Sequence, residues 1–299
     1  MKILLLGKNG QVGWELQRAL APLGELVALD RKGLNGLCGD LADFDGLRAS
    51  IRQVKPDVIV NAAAYTAVDR AEQEAELAYL INADAVQLLA EEARRLEATL
   101  VHYSTDYVFD GSGSSPWRET NTPAPLNVYG ASKLAGEAAI LASGCRHLIF
   151  RTSWVYGKHG HNFIKTILRL AREHEQLSLI DDQVGAPTGA DLLADMTAQA
   201  LRRMQETPDL GGLYHLAAEG ETSWYGYGCY LVDQARSLGL ELAVREIVPI
   251  PATEYPSPAI RPLNSRLDTQ RLQQHFNLRL PTWQNGVSRL LKEITGSNR

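Results

Sequence analysis

The sequence predicts an α/β fold: a doubly wound parallel sheet with a smaller lobe toward the C-terminus. Three observations carry that expectation. Short unbroken apolar runs such as Ile3-Leu4-Leu5-Leu6 and Val58-Ile59-Val60 have the pattern of strands covered on both faces, as parallel strands between helices are. These runs alternate with segments of helical periodicity through the first half of the chain. The first run passes directly into Gly7-Lys8-Asn9-Gly10-Gln11-Val12-Gly13 and a helical pattern from Trp14 to Leu20.

That glycine turn makes the fold Rossmann-like. Glycines three apart between strand and helix permit a tight bend and close backbone approach to a pyrophosphate, whose charge the helix N-terminus favours. The spacing of Gly7, Gly10 and Gly13 is Gly-x-x-Gly-x-x-Gly rather than Gly-x-Gly-x-x-Gly, and it still reads as a nucleotide turn.

Composition sets the outer limits. With 299 residues, 45% of them hydrophobic and 22% charged, the chain can build one main core with a smaller lobe. A net charge of -5 argues against a nucleic-acid binder, which needs a basic face for phosphates. Cys38, Cys145 and Cys229 are odd in number and widely spaced, so neither a disulfide framework nor a zinc site is expected. No run approaches the roughly 20 apolar residues of a membrane span. A soluble, cytoplasmic protein is the expectation.

Along the chain, Leu26 to Leu29 is expected as a second strand ending at Asp30, at the distance where a carboxylate meets the adenosine ribose. Arg31 and Lys32 follow and could hold a 2'-phosphate, so NADPH and NADH both stay open. Another short segment leads to Gly39-Asp40-Leu41, where Asp40 could meet the adenine edge. Val58 to Val60 then reads as a fourth strand, ending in Asn61-Ala62-Ala63-Ala64, small residues that leave room for a ligand. Ala71 to Leu96 is expected as one surface helix without chemistry. Thr99 to Tyr103 is the fifth strand, followed by the hydroxyl pair Ser104 and Thr105, placed to bond a substrate carbonyl. Gly111 to Pro125 reads as a flap-like loop, and Arg146 to Thr152 as a sixth strand, with Trp154 beyond it as a ring that could stack on a sugar.

Residues 1–152 are thus expected to form the dinucleotide-binding domain, with segments of about 184–217 returning to it. Residues 153–299 form mainly the substrate-binding lobe. Its Pro-interrupted tail carries Arg261 and Arg266 as cations for a phosphate.

Between these parts stands Tyr129-Gly130-Ala131-Ser132-Lys133 at a predicted helix start. Four-residue spacing puts a phenol and an ammonium on one helical face, where the cation can tune the phenol as a proton donor. Among 11 Tyr in the chain such a spacing is by itself an ordinary surface pair. Its meaning comes from the order: glycine turn, carboxylate, small strand end, hydroxyls, then Tyr-x-x-x-Lys.

In that order the sequence resembles an extended short-chain dehydrogenase/reductase. Ser104-Thr105-Asp106-Tyr107-Val108-Phe109, Asn127-Val128-Tyr129-Gly130, Arg151-Thr152-Ser153-Trp154-Val155-Tyr156, Gly185-Ala186-Pro187-Thr188 and Arg261-Pro262-Leu263-Asn264-Ser265 resemble the dTDP-4-dehydrorhamnose reductase family over nearly the whole length. The resemblance implies reduction of the C4 keto group of a nucleotide-linked 4-dehydro-L-rhamnose by NADPH or NADH, for cell-surface polysaccharide. It implies that Gly10, Gln11 and Val12 hold the pyrophosphate, Asp30 the ribose, and Asp40 with Leu41 the adenine. Ala63, Ala64, Tyr65, Thr66 and Tyr103 would line the nicotinamide half, Tyr65 departing from the family pattern, in which His is common. Tyr129 would donate the proton, Lys133 bind the ribose, Thr105 polarise the carbonyl, and Asp106 and Trp154 contact the sugar. Some relatives dimerise through magnesium, for which Glu15 is an available acid. Two other readings use the same fold: a nucleotide-sugar epimerase or dehydratase that retains NAD, and a non-catalytic regulatory subunit.

Overall fold

The computed structural model describes residues 1–296. Six strands form the central sheet: β1 Lys2–Leu6, β2 Glu25–Leu29, β3 Val58–Asn61, β4 Thr99–Thr105, β5 Arg146–Thr152 and β6 Gly212–His215. Their order is β6-β5-β4-β3-β1-β2, and every pairing is parallel. The order reverses between β2 and β3 on either side of β1, so a crevice opens at the carboxyl end of β1, where doubly wound sheets bind ligands.

The apolar runs are buried because both faces of the sheet are covered. Ile3, Leu5, Val58, Val60, Val101 and Phe150 join Leu16, Leu20, Leu193 and Leu201 in one core. Their alternating neighbours Leu4, Leu6, Ile59, Leu100 and Ile149 join Leu47, Ile51, Leu89 and Ile140 in the other. A third core fills the lobe, where the helices Phe163–Glu173, Trp224–Ser237 and Trp283–Thr295 pack around the parallel pair Gln176–Ile180 and Glu246–Ile250.

Several expectations need correction. Val58–Asn61 is the third strand, because the segment before Gly39 folds into a tight turn closed by a Leu34–Leu37 bridge. Gly33, Asn35 and Gly36 all take left-handed backbone there, which no strand tolerates. The long helix is broken into Val68–Ala71, Ala75–Tyr79, a π-helical turn over Leu80–Asp84, and Ala85–Arg95. The loop after β4 is tied down rather than flap-like. Trp117 stacks on Phe109 at 4.6 Å, and its Nε1 donates to the Asn264 carbonyl at 3.0 Å. The proline-rich tail is the strap that holds it, since Trp117 N donates to the Arg266 carbonyl and Asn264 N to that of Gly111.

One helix packs closely on the π-helical turn. Val128–Ser143 is capped by Asn127, whose Oδ1 accepts from Gly130 N at 2.8 Å, and it ends on left-handed Gly144. A Cβ on Gly136 would lie 2.2 Å from the Asn82 carbonyl oxygen of the π-helical turn. Helix propensity alone says that Gly136→Ala should gain about 1 kcal/mol. Here the sign is expected to reverse, with a lower urea midpoint for the variant than for the parent.

Candidate active site

The carboxyl ends of β1 to β5 bring most of the sequence-predicted residues to one edge. Gly7 follows β1 in left-handed backbone at φ 85°, and a Cβ there would lie 2.7 Å from Ala63 N. A Cβ on Gly13 would lie 2.0 Å from the Gly7 carbonyl oxygen. The fold itself therefore demands both glycines. Gly10 differs, since its Cβ would meet nothing closer than 3.4 Å. It stands at the N-cap of the helix Gln11–Leu20 with no side chain capping the turn. The first N–H groups of that helix, from Gln11 and Val12, thus face an anion site that only a ligand would crowd, which is the fit a pyrophosphate needs. Val12 also packs against the first core, and Gln11 Oε1 accepts from Asn162 Nδ2 of the lobe at 2.9 Å.

Asp30 sits at the end of β2 with Oδ2 accepting from Asn9 Nδ2 at 2.6 Å and Oδ1 from Lys32 N at 3.0 Å. Arg31 pairs with Asp40 at 3.2 Å, so both expected adenosine-side residues form one charged corner beside Asp30. Leu41 is 4% exposed and packs into the second core, so its side chain belongs to the fold. At β3, Asn61 Oδ1 accepts from Ala63 N at 3.2 Å and shapes the Ala63-Ala64 turn over Gly7. Tyr65 directs its hydroxyl to Glu74, while Thr66 is exposed. Tyr103 gives its hydroxyl to a 2.7 Å contact with Thr197 in the packing between sheet and helix. Trp154 has left-handed backbone at φ 46° and stacks on Trp224 at 3.6 Å, so one face of its ring is already taken.

Ser104 and Thr105 do not act as a pair, because successive strand residues face opposite ways. Ser104 Oγ is buried without a partner. Thr105 Oγ1 accepts from Tyr107 N at 3.1 Å and donates to Asp106 Oδ1 at 3.1 Å. Asp106 is 2% exposed, and burial raises its carboxyl to about 7 against the pull of the Ser265 and Thr105 hydroxyls. Tyr129 lies edge-on to Tyr107 at 5.9 Å. Burial pushes its phenol up to about 12, partly offset by the Thr105 hydroxyl.

Lys133, expected to bind the nicotinamide ribose and to tune Tyr129, lies against a histidine of β4. Its ammonium is buried and lies 3.0 Å from His102 Nε2. Burial lowers it to about 8, with Glu137 acting the other way. His102 is fully buried, and its Nδ1 faces Asn61 Nδ2 at 3.2 Å. Burial and the Lys133 charge hold the imidazole well below its usual range, hence neutral.

Sequence reasoning missed His102, Asn82, Glu137 and Arg151. Asn82 Oδ1 accepts from Tyr65 N at 2.9 Å, and its Nδ2 donates to the Tyr65 carbonyl and the Ser132 hydroxyl, both at 3.0 Å. It joins the turn after β3 to the Tyr129 helix. Glu137 and Arg151 form a buried two-pronged ion pair at 2.9 and 2.5 Å that joins the same helix to β5. Helical spacing gave a hint, since Glu137 lies four residues beyond Lys133 on the same face.

Arg261 is committed to Asp69 at 2.9 Å and Arg266 to Glu221 at 2.7 Å, so neither expected phosphate cation is free of an acid. Glu15 pairs with Arg18 at 3.5 Å. Among the described residues no group of three or more His, Cys, Asp or Glu is placed to hold a metal. No described helix is long and apolar enough to cross a membrane. Asn82→Ala strips three hydrogen bonds from a buried junction and is expected to cost about 2 kcal/mol in urea unfolding.

The family model described as the RmlD substrate binding domain matches residues 1–295. The dTDP-4-dehydrorhamnose reductase of Escherichia coli (strain K12) is 56% identical over 294 residues, 98% of each chain. That of Burkholderia thailandensis is 46% identical, covering 98% of this chain and 99% of its own. The crystal structure of dTDP-4-dehydrorhamnose reductase from Bacillus anthracis in complex with NADP matches with a TM-score of 0.87 at 34% identity, covering 98% of this chain and 99% of that one. Thermus thermophilus UDP-glucose 4-epimerase, at 21% identity and a TM-score of 0.80, shares the fold. The chain belongs to the RmlD family of dTDP-4-dehydrorhamnose reductases.

Proposed function

We propose that this protein reduces the C4 keto group of dTDP-4-dehydro-L-rhamnose to give dTDP-L-rhamnose, using NADPH or NADH. The observation that carries the reading is identity of 56% over 98% of the chain to an enzyme of that name. The site chemistry supports it, because the Thr105 hydroxyl at the end of β4 bears on the Tyr129 phenol, and Lys133, four residues further along the same helix, lies beside His102 of that strand.

The bound nicotinamide supplies a hydride to C4. The turn from Gly7 to Gly13 binds the cofactor's pyrophosphate through helix N–H groups, and the corner of Asp30, Arg31 and Asp40 receives its adenosine half. Lys133 holds the nicotinamide ribose by its ammonium. Negative charge developing on the C4 oxygen meets two donors, the Thr105 hydroxyl and the Tyr129 phenol, a geometry in which one lost donor costs about 3 to 4 kcal/mol. Tyr129 then gives its proton to that oxygen.

The direct test is oxidation of NADPH or NADH by the purified protein given dTDP-4-dehydro-L-rhamnose, with the UDP-linked sugar for comparison. No oxidation with either sugar overturns the reading. Tyr129→Phe is expected to bind the cofactor normally while kcat falls by about 100-fold or more. Cofactor affinity should also depend on pH. Lys133 is an ammonium below about 8 and an amine above it. The dissociation constant, followed by nicotinamide fluorescence, is therefore expected to rise about tenfold per pH unit beyond that point, and Lys133→Met should remove the slope.

A further inference from the structure

The proton count around Thr105 leaves a difficulty. A threonine hydroxyl has one proton and two lone pairs. In the structure one lone pair takes the Tyr107 N–H, and the proton goes to Asp106 Oδ1. A Thr105 bonded in that way has nothing left to give a substrate carbonyl. The carboxyl has a difficulty of its own, since Asp106 is 2% exposed and is met by hydroxyls, not by a cation. An ionised carboxylate buried without a charged partner is costly.

Both difficulties vanish if the proton in the Thr105–Asp106 bond belongs to the acid. We propose that Asp106 works as the neutral carboxylic acid, donating to Thr105 Oγ1 and thereby turning the Thr105 hydroxyl onto the substrate's keto oxygen. Thr105 then accepts from Tyr107 N and from Asp106, and its own proton turns to the Tyr129 side, where the sugar's keto oxygen would lie between the two hydroxyls. Asp106 keeps its proton throughout, and no bond forms or breaks at its carboxyl. It is a positioning residue that acts through Thr105.

The surroundings favour that form. The groups that face Asp106 are the phenols of Tyr107 and Tyr129 and the hydroxyls of Thr105 and, from the strap, Ser265. None of these carries a positive charge. Arg261 bears on Tyr107 and is ion-paired with Asp69, and the Lys133 ammonium is bonded to His102. Burial accordingly lifts the carboxyl to about 7. The acid form, and with it the free Thr105 proton, is present below that pH and is lost as pH rises through it.

The inference rests on Thr105 as the carbonyl donor, so its test separates the two. Turnover at saturating cofactor and sugar is measured from about pH 6 to about pH 9 for the parent, Asp106→Asn, Asp106→Ala and Thr105→Val, each checked for folding by circular dichroism. The parent is expected to lose turnover as pH rises through the neutral range. Asp106→Asn presents an amide N–H to Thr105 that cannot titrate. It should recover most of the parent's acid-side turnover, to within about fivefold, and show a flat profile. Asp106→Ala should fall at least about tenfold below the amide variant, with little change in sugar KM. An Asp106→Asn profile that declines like the parent's, or an amide variant as impaired as the alanine one, overturns the inference while leaving Thr105 its role. Parent-like turnover in Thr105→Val overturns the donor role itself, and the inference with it.

Discussion

The structure turns on a buried ammonium. Lys133 lies at the back of the Tyr129 helix with 1% of its surface exposed, where a charge is costly unless something receives it. His102 Nε2 lies 3.0 Å from it, and Glu137, one turn along, adds a favourable field. His102 in turn faces Asn61, Asn61 holds Ala63 N, and Ala63 packs against the bare α-carbon of Gly7. One line of contacts therefore runs from the acid helix across the ends of β4, β3 and β1 to the glycine turn. The position of the cation and the shape of the nucleotide turn are coupled through it.

That line also limits what each member can do. A neutral imidazole offers one accepting nitrogen, while His102 has an amide on one side and an amine on the other. It can accept from only one of them at a time, so the charge on Lys133 and the orientation of the Asn61 amide are linked. The helix cannot drift to relieve the arrangement. Gly136 seats it on the Asn82 carbonyl, and the Glu137–Arg151 pair fixes it to β5, where removing one buried partner typically costs about 3 to 5 kcal/mol.

Local pattern revealed much of this and missed a definable remainder. Apolar runs marked the first five strands of the main sheet, and residue spacing located the glycine turn and the Tyr129–Lys133 face. The segment before Gly39 misled because its short apolar content hid three left-handed residues. The break in the helix around Asn82 is invisible to periodicity, because it depends on a side chain reaching back 17 residues to Tyr65. His102 read as one residue of an apolar strand, and its contact with Lys133 spans 31 residues. Leu41 and Tyr103, which the resemblance assigns to the cofactor, also serve the fold, Leu41 in its core and the Tyr103 hydroxyl against Thr197. Sequence reports which chemistry is available at an element's end, whereas burial decides which of it is free to act.

The state of Tyr129 bears on the choice between reduction and epimerisation, which share the Tyr and Lys. An epimerase that retains NAD begins by taking a proton from a sugar hydroxyl, so it needs the phenolate. A reductase ends by giving a proton, so it needs the phenol. Here the lysine ammonium lies against His102, while burial raises the phenol to about 12. Such a phenol stays protonated through the neutral range and yields only when a stronger base, such as a forming alkoxide, appears beside it. The surroundings of Tyr129 and Lys133 in this chain therefore favour giving a proton.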